Sequence, residues 1–199
     1  MSKELWNNRF SEEGYVYGTQ ANPFIIEKSD IIPKASEIGC FAEGEGRNAV
    51  HLAKLSHHVT TYDQSKVGLQ KTKQLATHHN VDVNTIEMDL TAEKAPIKQY
   101  DAAVLVFGHV PKQSQHFFIE NIIQSVKPGG YVILEVYSEE QITYQTGGPP
   151  TVDNLYSPID ILSWIKPYQC LHFYYGEAER SEGTRHTGVG HVIQAVIKR

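Results

Sequence analysis

A chain that leaves a short apolar strand through two glycines, enters a helix, and returns to a second strand ending in an acid has few folds open to it. Residues 37–63 have this form. Ile38 to Ala42 is short and unbroken in apolar character, and Gly44 and Gly46 follow where a strand must reverse into a helix. Ala49, Val50, Leu52 and Ala53 give the predicted helix a small-residue face for a sheet, and Val59 to Tyr62 resume a β-branched pattern that Asp63 closes. The unit predicts a parallel sheet with a ligand seat at its carboxyl edge. Glycine lets the ligand approach bare backbone, and the acid is positioned to accept both hydroxyls of a ribose.

Two ligand classes share this geometry. Gly44, Gly46 and Ala49 satisfy the G-x-G-x-x-G/A dinucleotide pattern, yet Glu45 stands where a pyrophosphate would meet a carboxylate. S-adenosylmethionine (SAM) carries a sulfonium and no phosphate, so an acidic turn suits it better than NAD.

The stretch Ala42 to Val50, with Asp63 downstream, resembles the first two motifs of class I SAM-dependent methyltransferases. Within them it is similar to the small bacterial tellurite-resistance-type (TehB-like) group, whose pattern also recurs at residues 6–10, 15–18, 127–130, 144–149 and 182–183. In the usual acid-x-Gly-x-Gly-x-Gly pattern the acid falls at Cys40 and the first glycine at Ala42. An alternative register uses Glu37 and Gly39 and puts Phe41 at a glycine position. The first register is preferred because it preserves Gly44 and Gly46; which acid orients the methionine end of SAM stays open.

The resemblance implies an N-terminal lid over the cofactor, Asp89 accepting from the adenine amino group, and Leu90 offering its backbone N–H. From spacing alone, a helix merely covering the core and an Asp89 that fastens a turn are equally good readings. The residues assigned to the cofactor are Arg9, Glu43, Gly44, Glu45, Gly46, Asn48, Asp63, Gln64, Asp89, Leu90 and Phe107, with Arg9 suited to pair with the SAM carboxylate. His109 and Tyr17 are the candidates on the acceptor side. His109 follows an apolar strand at the carboxyl edge, where an imidazole takes a proton near neutral pH or only shapes the wall.

Along the chain, Leu5, Trp6, Arg9 and Phe10 lie at helical spacing within residues 3–13, and Asn22 and Pro23 open a second short helix. Ser65 caps a helix ending near Asn80, Val81 to Glu87 reads as a strand, and Ala102 to Phe107 as an interior parallel strand. Ile119, Ile122, Ile123 and Val126 form a helical stripe, which Lys127 to Gly130 ends before a strand from Tyr131 to Val136. No Asn-Pro-Pro-Tyr or Asp-Pro-Pro-Tyr follows the fourth strand, against methylation of amino-adenine or glutamine amides. Ile159 to Ile165 reads as the last helix, and Tyr168 to Ala178 and Val189 to Ile197 as an antiparallel hairpin flanking residues 180–188.

One domain over 1–199 is expected: a lid and helices in 1–30, a cofactor-binding core in 36–136, a substrate-side loop in 138–157, and a helix with hairpin in 158–199. The fold class is α/β, a Rossmann-like doubly wound sheet of seven strands, mostly parallel. A net charge of −5 argues against a nucleic-acid partner. No apolar run suits a membrane, and two cysteines suit reduced thiols in a cytoplasmic protein. The histidines lack metal-ligand spacing. Expected is methyl transfer from SAM to a small molecule of the thiol, thiopurine-like or chalcogen-oxyanion class. The alternatives are an NAD-dependent oxidoreductase and a non-catalytic SAM-binding sensor or interaction protein; oligomeric state is left open.

Overall fold

The computed structural model describes residues 2–183 and 185–199. Its apolar runs become strands lying side by side: β1 (Glu37–Phe41), β2 (His58–Asp63), β3 (Val83–Glu87), β4 (Tyr100–Val106) and β5 (Val126–Tyr137) pair in parallel. β6 (Gln169–Glu182) and β7 (His186–Lys198) complete a seven-stranded sheet of order β3-β2-β1-β4-β5-β7-β6, with β7 antiparallel to both neighbours. After β1 the chain builds outward to β3, then crosses back to place β4 on the other side of β1. That reversal leaves a crevice at the carboxyl ends of β1 and β4, where open α/β sheets take their ligands.

Helices cover both faces: α1 (Lys3–Phe10), α2 (Pro23–Lys28), α3 (Arg47–Lys54), α4 (Lys66–His78), α5 (Lys112–Ser125) and α6 (Pro158–Ile165). Phe118, Ile119, Ile122 and Ile123 of α5 pack with Ile161 and Ile165 of α6 on Phe41, Tyr62, Tyr100 and Leu105. Phe24, Ile25 and Leu52 cover the opposite face at Ile38, Cys40, Val104 and Ile133. The expected caps are present: Asn22 Oδ1 accepts from Phe24 N–H, and Ser65 Oγ from Gly68 N–H. Gly39 lies inside β1, where an added Cβ would come within 2.8 Å of the Phe41 and Tyr100 rings. Its glycine is a packing requirement, so the alternative register through Gly39 is not the ligand turn.

Several bounds differ from expectation. α1 stops at Phe10, three residues early, with Ser11 as cap and Gly14 beyond it at φ 75°. Residues 127–130 do not end a helix; they bulge out of β5 where its pairing with β4 shifts between Tyr100 and Ala102. The loop 138–157 holds two short 3-10 turns and a bridge between Ser138 and Tyr156. The hairpin strands run on to Glu182 and from His186, because a buried polar seam holds their ends. There Arg180 pairs with Glu135 at 2.6 Å and Arg47 with Glu182 at 2.9 Å. Asn22 Nδ2 donates to Glu135 at 2.8 Å and to Glu182 at 3.1 Å, joining the two pairs.

Removing one partner of a buried pair leaves the other charge uncompensated, at about 3–5 kcal/mol. Arg180→Met is expected to lower urea-unfolding stability by that order at neutral pH. The loss should shrink on acidification, since burial already raises the Glu135 pKa and protonation removes the orphaned charge. An unchanged midpoint at both pH values would dismiss the pair as a fastening.

Candidate active site

The turn after β1 is built from backbone that side chains rarely adopt: Ala42 at φ 51°, Gly44 at 63° and Gly46 at 89°. At Gly44 an added Cβ would sit 2.8 Å from the Phe10 ring, and at Gly46 2.6 Å from Thr72. The first N–H groups of a helix have no partner within it, and Glu43 Oε1 meets two of them, accepting from Asn48 N–H at 2.8 Å and Ala49 N–H at 2.9 Å. Asp63 accepts from Gly44 N–H at 2.9 Å through Oδ2 and from Ser65 N–H at 2.8 Å through Oδ1. Burial pushes its pKa up to about 6, against the pull of those N–H donors.

Glu45 departs from its expected part. Its carboxylate accepts from Val16 N–H at 2.8 Å and pairs with Lys71 at 2.9 Å, so its charge is already met and it anchors the N-terminal segment. The same Lys71 donates to the carbonyls of Glu12 and Gly14. Asn7 accepts from Ser65 Oγ at 2.7 Å, and the segment lies closed over the turn.

The cleft beneath it measures about 840 Å³, part of it open to solvent. Glu43, Gly44, Glu45, Asn48, Asp63, Gln64, Asp89, Leu90 and Phe107 line it, as do Tyr17 and His109. Arg9 and Gly46 do not. Phe10 is the buried residue of α1, while the Arg9 guanidinium lies 5.1 Å over the Trp6 ring and donates to the Tyr17 hydroxyl at 3.1 Å. Gly46 stands behind the turn as the start of α3, against Thr72. Asp89 Oδ1 accepts from the N–H and hydroxyl of Thr91, so half of its carboxylate fastens a turn. Among the described residues, none of 138–157 lines the cleft. That loop instead braces the hairpin, with Thr146 donating to the Val189 carbonyl at 2.7 Å.

Phe107, at φ 55°, breaks out of β4 and stacks on Tyr137 at 4.3 Å. His109 follows, stacked 6.0 Å from Tyr137 and 6.4 Å from Trp6. Burial, then His186 and Arg9, lower its pKa to about 3. His109 is thereby held neutral near neutral pH, and its Nδ1 has no hydrogen-bond partner among the described residues. Sequence reading passed over Arg47 and His186, which also line the cleft. Their signal was present in Arg47 of the glycine motif and in Glu182, four positions before His186. Among the described residues no cluster is arranged for a metal ion, and no helix is long and apolar enough to cross a membrane.

Residues 37–130 match the family described as the methyltransferase domain. Haemophilus influenzae TehB, named as a probable S-adenosyl-L-methionine-dependent methyltransferase, is 25% identical over 114 residues, 55% of this chain and 38% of that protein. A Rickettsia akari ubiquinone biosynthesis O-methyltransferase is 27% identical over 155 residues, 71% of this chain and 59% of that protein. This chain thus spans less than two thirds of either relative's length. Among solved structures, a protein of echinomycin biosynthesis described as converting a disulfide bond into a thioacetal group superposes with a TM-score of 0.79 at 13% identity, over 99% of this chain and 92% of that one. The crystal structure of H. influenzae TehB gives 0.73 at 14%, over 99% and 66%. The fold is the one these solved structures share, and residues 37–130 are similar in sequence to the methyltransferase domain.

Carbon-13 titration of the ligand-free protein is expected to give the Asp63 carboxyl a midpoint near 6. Because the folded state then holds this proton more tightly than the unfolded chain, stability falls as pH rises from about 4 to about 6. A midpoint near 4 would remove the burial on which this rests.

Proposed function

We propose that this class I SAM-dependent methyltransferase fold catalyses methyl transfer from SAM to a small-molecule acceptor. SAM supplies a methyl group on a sulfonium, already activated for in-line displacement, so the protein has to align the reactants and keep water out. In this reading Asp63 holds the ribose hydroxyls, Asp89 and Leu90 receive the adenine, and Gly44 and Glu43 border the methionine end. Trp6, Phe10 and Tyr17 close the cleft. A cytosolic setting belongs to the same reading, supported by two free cysteines.

One observation carries the choice of SAM over NAD. A dinucleotide's pyrophosphate rests on the first N–H groups of the helix after the glycine turn. Here Glu43 already accepts from Asn48 and Ala49 N–H, and a pyrophosphate would have to displace it. SAM makes no such demand. Against a non-catalytic sensor stands the acceptor end of the cleft, with two histidines and a tyrosine beside Phe107. Such walls suit a planar thiopurine-like or thiol acceptor. A chalcogen oxyanion is less well served, since Arg47 and Arg180 are both engaged in buried ion pairs.

Calorimetric titration with SAM, its demethylated product and NAD tests the reading. Binding of the first two is expected, and tight NAD binding without SAM would end it. Two charge-assisted hydrogen bonds to Asp63 are worth roughly 1.5–3 kcal/mol each. Asp63→Ala should therefore weaken SAM binding by one to several powers of ten. Wild-type affinity in a folded Asp63→Ala would take Asp63 out of the site.

A further inference from the structure

His186 opens β7 and lines the cleft, its ring centroid 4.5 Å from that of Tyr17 and 5.0 Å from that of Phe107. It is only 4% exposed. Nδ1 lies 3.5 Å from Glu182 Oε2 and has no other partner among the described residues. Apo contacts of this kind are commonly long and tighten when the reactants bind. Glu182 is itself fixed, because Arg47 Nη2 donates to Oε2 at 2.9 Å and Asn22 Nδ2 to Oε1 at 3.1 Å. Burial raises the carboxyl pKa, but the contacts with His186 and Arg47 outweigh it and hold it at about 2. An ionised carboxylate beside one imidazole nitrogen, with the ring lining a cleft, fixes which nitrogen keeps its proton and which presents a lone pair.

We propose that His186, oriented by Glu182, is the base that activates the methyl acceptor, and that the acceptor is a neutral protic group, a thiol or acidic hydroxyl carried on a flat ring. This rests on the methyl-transfer reading above. The acceptor's X–H bond breaks with its electron pair left on X, and the proton passes to Nε2 of His186. That pair forms the new bond to the methyl carbon, and the carbon–sulfur bond of the sulfonium breaks with its electrons kept by sulfur. Burial, Arg47 and Arg180 hold the His186 pKa below its ordinary value against the opposing pull of Glu182, so the ring is neutral and receptive at neutral pH. The other titratable groups facing it are His109, Tyr17 and Tyr137. The ring faces of Phe107 and Tyr17 favour a flat acceptor.

Two measurements test this. In nitrogen-15-labelled wild type with the demethylated cofactor product bound, long-range ¹H–¹⁵N spectra at neutral pH should show a neutral His186 protonated on Nδ1. An Nε2-protonated or charged ring overturns the orientation by Glu182. Initial rates are then compared for benzyl mercaptan, largely protonated near neutral pH, and 4-nitrothiophenol, already ionised. His186→Gln is expected to lower kcat on benzyl mercaptan roughly 10²–10⁴-fold, with the deficit closing as pH rises, and on 4-nitrothiophenol by less than about tenfold. Equal losses on both thiols, or none on either, overturn the base. A wild type that binds SAM yet methylates neither thiol overturns the acceptor class, whereas failure to bind SAM sinks the methyl-transfer reading instead. Should His186→Gln fail to fold, the tautomer in wild type still decides.

Discussion

Backbone N–H groups left unpaired by the turn between β1 and α3 are met by buried carboxylates, and the N-terminal segment and the cleft take their places from those contacts. Asp63 receives Gly44, and Glu43 receives Asn48 and Ala49. Glu45, on the same turn, receives Val16 from the N-terminal segment. Lys71 offsets the charge of Glu45. Asp63 has no such cation among the described residues, and burial leaves its pKa high.

Local signals in the chain translated well because local physics decides them. The β1–α3–β2 unit, the caps at Asn22 and Ser65 and the α5 stripe depend on neighbours within a few positions. The seven-stranded sheet with its antiparallel end followed from apolar runs closed by a hairpin pattern. Most residues assigned to the cofactor line one cleft for the same reason: they flank strand ends on the carboxyl edge.

What stayed hidden depends on partners far away in sequence. Arg47 and Glu182 lie 135 positions apart, and nothing near either residue announces the pair. Arg9 looked like an anion clamp on charge alone; its guanidinium instead settles on Trp6 and Tyr17, because Phe10 fills the inward side of the last turn of α1. His109 has the expected address, yet its protonation is set by how deeply the closed lid and Tyr137 bury it, and burial cannot be read from a motif. The loop 138–157 drew attention by its length, while its work is to brace β7 through Thr146 and Gln141.

The missing first glycine ties these observations together. Ala42 occupies the left-handed region, which costs a residue with a Cβ about 1–2 kcal/mol. That strain persists because the position is held from several sides. The Ala42 methyl packs against the core formed by Phe41, Leu105 and Phe118. Glu43 N–H donates to the Tyr62 carbonyl, and the Glu43 side chain pins α3. One step on, Arg47 carries the same rigid turn to Glu182 and so to the end of β6. A glycine at Ala42 would relieve the strain and loosen the turn. With alanine the turn has less freedom than with glycine, and it meets Asp63 on one side and the Arg47–Glu182–His186 contacts on the other. A single stiff turn is thus shared by both halves of the cleft.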